Sequence, residues 1–139
     1  MTINNETQEQ IITFLKNCDF RSLVDIYFAD DFLWIIKGSS ILSGTYTNKD
    51  IFYAQVIKRL SNVLQADWRM HILEIYVAGN TLIVEMRGEV KAKNGQDYNN
   101  EYCWIFKFND NNKIVSITAY YDSLLVNKTL AENETTVNT

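Results

Sequence analysis

Proline is absent from the whole chain of 139 residues, so no helix or strand is broken by one. Glycine is nearly as scarce. Its five scattered residues leave no place for a glycine-rich phosphate loop. One histidine and two distant cysteines, Cys18 and Cys103, cannot compose a zinc site of ordinary make-up. No metal and no cofactor is expected. In a reducing compartment those cysteines are thiols, and a thiol of this kind behaves as a small buried hydrophobe. Lysine and arginine form no run, and the net charge of −4 lacks the electrostatic footprint of a nucleic-acid binder. The same charge would be weakly repelled by an anionic membrane surface. Apolar runs are too short to span a bilayer, and residues 1–10 lack the apolar core of a secretory signal. The expected location is therefore the cytoplasm, with neither nucleic acid nor membrane as partner.

What is present is patterned. Hydrophobic residues make up 47% of the chain, enough for one substantial core, and the length fits one domain. The domain is expected over residues 1–130, followed by a polar, mobile tail over 131–139. Three turn signals, Gly79-Asn80, Asn94-Gly95 and Asn109-Asp110-Asn111-Asn112, each separate runs rich in β-branched and aromatic residues. Glycine and asparagine tolerate the positive φ of tight hairpin turns. Together the turns predict four antiparallel strands between residues 70 and 121.

The preceding sequence reads as helical. Thr7-Gln8-Glu9-Gln10 has the form of a capping box, with Ile11, Leu15 and Cys18 at helical spacing behind it. Asp19 can cap a second helix that carries Leu23, Val24, Tyr27 and Phe28 and ends at Asp30-Asp31. Residues 32–37 read as a short apolar strand, and residues 38–44 as a loop. Thr47-Asn48-Lys49-Asp50 opens the longest helix, over residues 48–64, with Tyr53, Val56, Ile57, Leu60 and Leu64 on one side. Asp122 can cap a last short helix.

Strand alternation separates two sheet faces. One carries Leu82, Val84, Met86 and Val90, then Tyr102, Trp104, Phe106 and Phe108, then Val115, Ile117, Ala119 and Tyr121. The other mixes Glu85 and Arg87 with Ile83, Ile105 and Tyr120. The first face is expected to be covered by helices or a ligand. The second has the mixed character of a dimer surface.

This arrangement of two helices, a Trp-bearing strand (Phe32-Leu33-Trp34-Ile35-Ile36), Gly44-Thr45-Tyr46, a third helix and a long meander resembles a SnoaL-like protein. The C-terminal signature carries the likeness furthest: Asn94-Gly95, then the run from Tyr102 through Trp104 to Phe108, then Lys113-Ile114-Val115 and Tyr120-Tyr121-Asp122. That family belongs to the nuclear transport factor 2-like superfamily, which also holds ketosteroid isomerase. Over residues 9–126 the resemblance implies an α+β fold, a cone-shaped curved antiparallel sheet wrapped around N-terminal helices (nuclear transport factor 2-like, cystatin-like). It also implies an apolar pocket and a homodimer joined through the sheets. Fold alone does not name an activity. The isomerase's catalytic set does not carry over. Ile36 stands where the resemblance places the carboxylate base, and Trp104 stands where it places a protonated Asp donor. The first-helix Tyr donor falls in Ile11-Ile12-Thr13-Phe14.

Trp34, Ile36, Met86, Tyr102, Trp104 and Tyr121 are the candidate ligand-binding residues, rigid apolar walls with a few hydrogen-bonding handles. His71 is the candidate acid/base, because its ordinary pKa suits proton transfer near neutrality. That role requires the face shared by His71, Leu73, Ile75 and Val77 to line the pocket. With the faces inverted, Glu74 takes its place. The expected partner is a small hydrophobic or aromatic molecule, bound with isomerase- or cyclase-type proton transfer. The alternative is a non-catalytic ligand-binding or dimeric interaction module.

Overall fold

The structure, a computed structural model, describes residues 1–137. Helix α1 (Asn5–Lys16) starts earlier than its capping-box pattern predicts. Asn4 is the cap, and its Oδ1 accepts from Thr7 N at 2.7 Å. The capping oxygen satisfies one of the backbone donors that a helix start leaves free. Helix α2 (Phe20–Tyr27) is capped by Asp19, as expected, through Ser22 N at 3.2 Å. It stops at Tyr27 rather than at Asp30-Asp31. Strand β1 begins at Phe28 and runs to Ile36. Pairing of Phe28 with Ile114 decides this, with a register shift between Phe28 and Leu33 that leaves both aspartates exposed.

After the short strand β2 (Gly44–Tyr46), a third helix is capped by Asn48, which accepts from Ile51 N at 2.9 Å. It is α-helical over Lys49–Phe52 (α3), π-helical over Tyr53–Lys58 and α-helical again over Arg59–Ser61 (α4). The wider π turn breaks the ideal helical period. Phe52, Val56 and Leu60, each four residues apart, are its most buried residues.

The meander then follows as β3 (Arg69–Ala78), β4 (Thr81–Glu89), β5 (Glu101–Phe108) and β6 (Ile114–Tyr121). Six strands form one curved sheet in the order β2-β1-β6-β5-β4-β3, antiparallel except where β1 meets β6. All three turn signals fall between strands, and Gly79, Gly95 and Asn112 hold positive φ there. Leu82, Val84, Met86, Trp104, Phe106, Phe108, Ile117 and Ala119 are buried on the inner face under the helices.

Two bulges depart from strict alternation. An extra residue at Val115 puts Ile114, fully buried opposite Phe108, where Val115 was expected. An extra residue at Leu73 shifts the pairing sum of β3 and β4 between Ile72 and Glu74. A bulge of this kind swaps the side-chain parity of everything beyond it.

Helix α5 (Ser123–Val137) is longer than the short helix expected, and it corrects the tail assignment over residues 131–134. Asp122 Oδ1 accepts from Leu125 N at 3.2 Å at its start. Leu130 and Asn133 are buried. Asn133 Oδ1 accepts from Asn94 N at 2.8 Å, and Glu134 forms a two-pronged ion pair with Arg59 at 2.7 and 2.8 Å. Residues 138–139 of the expected tail lie outside the described residues.

Candidate functional site

Between the inner sheet face and the helices lies a cavity of about 50 Å³. Trp34 and Ile36 of β1, Tyr102 and Trp104 of β5, and Ala119 and Tyr121 of β6 supply its floor. Phe20 of α2, Phe52 and Val56 of the third helix and Val126 of α5 close it. Trp68, just before β3, and Tyr98, just before β5, complete the wall. The volume is small because the walls interlock. Trp34 stacks on Phe52 at 4.0 Å between centroids and meets Trp104 edge-on at 5.2 Å, while Phe20 lies 5.4 Å from Trp68 and 5.8 Å from Trp104. Such a space holds a few waters or a very small molecule, well short of the roughly 300 Å³ of an ordinary ligand pocket.

The polar groups of this wall fall into two kinds. Some are tied into the fold. Tyr121 Oη bonds to Ser40 Oγ and, at 3.0 Å, to Ser43 Oγ, which itself donates to Lys37 O at 3.0 Å. The serines thus fasten the loop after β1 to the end of β6. Asn100 is buried and donates to Tyr98 Oη at 3.3 Å and to Asp122 O at 3.1 Å, while accepting from Asp122 N at 2.9 Å. Others are orphaned. Trp68 Nε1 and Trp104 Nε1 are buried with no hydrogen-bond partner among the described residues, whereas the Tyr102 hydroxyl shares a side-chain hydrogen bond with Tyr98. Burial pushes the Tyr98 phenol up to about 12. Burial, reinforced by the neighbouring Tyr98, holds Tyr102 well above the ordinary tyrosine value. Both phenols stay protonated at neutral pH.

Of the six candidate ligand-binding residues, Trp34, Ile36, Tyr102, Trp104 and Tyr121 share this wall. Met86 is fully buried on the inner face but does not line the cavity, because it sits one strand farther out on β4, paired with Tyr102. His71 is a correction. It lies on the outer face opposite Arg87, its side chain 47% exposed, with Nε2 2.9 Å from Glu89 Oε2. The bulge at Leu73 explains the error: His71 precedes it, so it does not share a face with Ile75 and Val77. Glu74 is no replacement, since it pairs with outward-facing Glu85. Four aromatic wall residues have no place in the sequence-level candidate set: Phe20, Phe52, Trp68 and Tyr98. Trp68 and Tyr98 precede their strands, where alternation gives no signal, while Phe52 stands four residues before Val56, a helical spacing that could have found it. Among the described residues no Asp, Glu, His, Lys or Arg lines the cavity.

A family model described as a SnoaL-like domain matches residues 9–117. Solved structures agree at the level of the fold. A nuclear transport factor 2-like protein from Burkholderia thailandensis is 18% identical, with 90% of this chain and 95% of that chain covered and a TM-score of 0.72. A protein from Catenulispora acidiphila with a ketosteroid isomerase-like fold, solved with trimethylamine, is 16% identical over 89% and 92% of the two chains, with a TM-score of 0.68. A Jannaschia protein, provisionally described as a SnoaL-like polyketide cyclase, is 13% identical over 92% and 93%, with a TM-score of 0.66. The comparison with curated proteins returned no match. The cone of helices and curved sheet, the apolar wall and the match over residues 9–117 all agree: the chain belongs to the SnoaL-like domain family.

Proposed function

We propose that this protein binds a small, neutral, largely apolar molecule in the cavity beneath α2 and the third helix, without proton-transfer catalysis. One observation carries the reading: among the described residues, the titratable side chains on the wall are all phenols. The two whose pKa is displaced, Tyr98 and Tyr102, are moved away from neutrality. A general base working near pH 7 needs a pKa near that pH. The position matching the isomerase's carboxylate is the aliphatic Ile36, and His71 faces solvent. Burying about 100 Å² of apolar ligand surface contributes about 2.5 kcal/mol before the cost of association. Binding of more than a very small guest requires the walls to part. The π segment is the place to expect it, since π turns cluster at functional sites and Val56 and Ile57 reach the cavity from it. The trimethylamine of the Catenulispora protein does not transfer readily. A cation here would have aromatic faces but, among the described residues, no carboxylate on the wall.

The test is titration with toluene, followed through the indole N–H resonances of Trp34, Trp68 and Trp104, alongside native mass spectrometry of gently purified protein. Saturable shifts in wild type and His71→Ala, lost when Val56→Trp fills the cavity, are the expected result. No saturable shift with toluene or with comparable small hydrocarbons would remove the reading.

The outer sheet face favours a second copy of this chain as partner. Through the strand register Tyr76, Ile83, Ile105, Thr118 and Ile35 form one row across five strands. Tyr76 itself is exposed, and so are Leu73 and Tyr120 beside the row. A largely apolar row of this kind, flanked by Glu74 and Glu85 on one side and Lys107 on the other, suits a self-complementary, two-fold contact.

A further inference from the structure

We infer that Trp68 is the door of this cavity: its indole swings outward about the Ala66-Asp67 joint and admits the guest from the groove between the ends of α1 and the third helix. The inference rests on the binding reading above and says how that site is reached.

The interlocked wall leaves little room, so a guest enters only where a side chain gives way. Four wall residues also border a surface groove: Leu42, Trp68, Tyr102 and Tyr121. Three of them are fastened. Leu42 N donates to Ser40 Oγ at 3.1 Å, and Leu42 O accepts from Tyr46 Oη at 2.7 Å. Beside it, Ile41 N donates to Asn127 Oδ1 at 2.7 Å. Tyr121 is held by Ser40 and Ser43, and Tyr102 by its bond to Tyr98 within a strand paired on both sides. The Trp68 side chain has no such tie.

The chain around Trp68 is held at two points and loose between them. Upstream, Gln65 N donates to Lys91 O at 2.8 Å and Gln65 Nε2 to Ala92 O at 3.0 Å. Downstream, Arg69 pairs with Glu89. Ala66 and Asp67 make no hydrogen bond among the described residues. Three non-glycine residues hold positive φ among the described residues. Asn112 turns a hairpin, whereas Cys18 and Asp67, at 52° and 68°, both border the groove that Trp68 faces. Residues other than glycine enter that region at a cost, and such strain gathers at segments that switch.

The indole adds a second imbalance. Its Nε1 is buried without a partner, so the closed position carries the desolvation cost of an unmade hydrogen bond. Phe20, Tyr98 and Gly88 bar movement inward or along the sheet. The groove is the open direction, and water there completes the N–H. Opening gives up the ring's apolar contacts, which keeps the closed position the populated one. Trp104 Nε1 is also unpartnered, but its ring is enclosed by Phe20, Trp34 and Tyr102 and borders no groove, so it serves as an internal reference.

The experiment reads the door and the guest separately. In wild type without ligand, the Trp68 indole N–H should exchange with deuterium about tenfold faster than that of Trp104, because local opening precedes global unfolding. Gly88→Ala presses on Trp68 Nε1 and should widen that ratio while speeding toluene release. Trp68→Ala removes the door, and should speed toluene release about tenfold with the fold intact by circular dichroism. Leu42→Ala tests the rival entrance. Equal indole exchange in wild type, or toluene release sped more by Leu42→Ala than by Trp68→Ala, would overturn the door and leave the binding reading standing. Should Trp68→Ala not fold, wild type and Gly88→Ala still decide the matter. No saturable toluene binding would overturn the binding reading instead, and the indole comparison would then judge the door alone.

Discussion

A single residue decides how tightly the cavity wall closes. Gly88 lies on the inner side of β4, beneath the Trp68 indole, and a Cβ there would meet Trp68 Nε1 at 3.3 Å and Tyr102 Cε2 at 3.6 Å. Trp68 cannot move freely, because Phe20 and Tyr98 flank it at 5.4 and 6.5 Å between centroids. Overpacking a wedged ring outweighs the chain-entropy gain of replacing glycine. Gly88→Ala should therefore lower stability by about 1 kcal/mol in urea unfolding and shift the Trp68 indole resonance. An unchanged midpoint and spectrum would show that the wall has slack. The contrast with His71 is instructive. The sole histidine attracts attention by its chemistry, yet it spends its ring on an exposed pair with Glu89, an arrangement of little energetic weight.

At the scale of elements, the last helix is fastened by one ion pair at its far end. Arg59, in the last turn of the third helix, donates through Nε and Nη2 to both oxygens of Glu134. The guanidinium holds the Glu134 carboxyl below the ordinary glutamate value of 4.5. A depressed carboxylate pKa contributes stability above the unfolded value, and that contribution disappears as pH falls through the folded one. Glu134→Gln should thus cost stability at pH 7. The gap to wild type should close as pH drops below 4.5. Both groups are about one-third exposed, so the whole effect is under about 1 kcal/mol. Thermal melts of the two proteins from pH 7 downward measure it, and a gap that persists in acid would place the helix anchor elsewhere, at Asn133 and Leu130.

At the scale of the molecule, the curved sheet offers two surfaces of different use. The concave one is sealed by helices around aromatic side chains. The convex one leaves Leu73, Tyr76 and Tyr120 in solvent beside the Ile83–Ile105 row. If a second copy covers it, light scattering on wild type should give twice the chain mass, and Tyr76→Lys should give the single mass with the fold intact by circular dichroism. A wild-type monomer at tens of micromolar would end the dimer proposal. The dimer and the cavity are independent in this geometry, so Tyr76→Lys should leave toluene affinity unchanged.

Much of the fold was readable from local chemistry. Gly79, Gly95 and Asn112 turn because few other residues accept positive φ. Asp19 and Asn48 cap because their oxygens reach a free N–H three residues on. Leu82, Val84, Trp104 and Phe106 face inward because strand side chains alternate. Five of the six proposed binding residues therefore converge where alternation sent them. What tertiary structure alone decided depends on contacts between distant parts of the chain. The extra residues at Leu73 and Val115 are set by partner strands, and one of them carries His71 to the outer face. Trp68 and Tyr98, outside any strand period, find the cavity through packing on Phe20 and the bond to Asn100. The size of the hollow follows from how three indoles and their neighbours interlock, and no one-dimensional pattern encodes that fit.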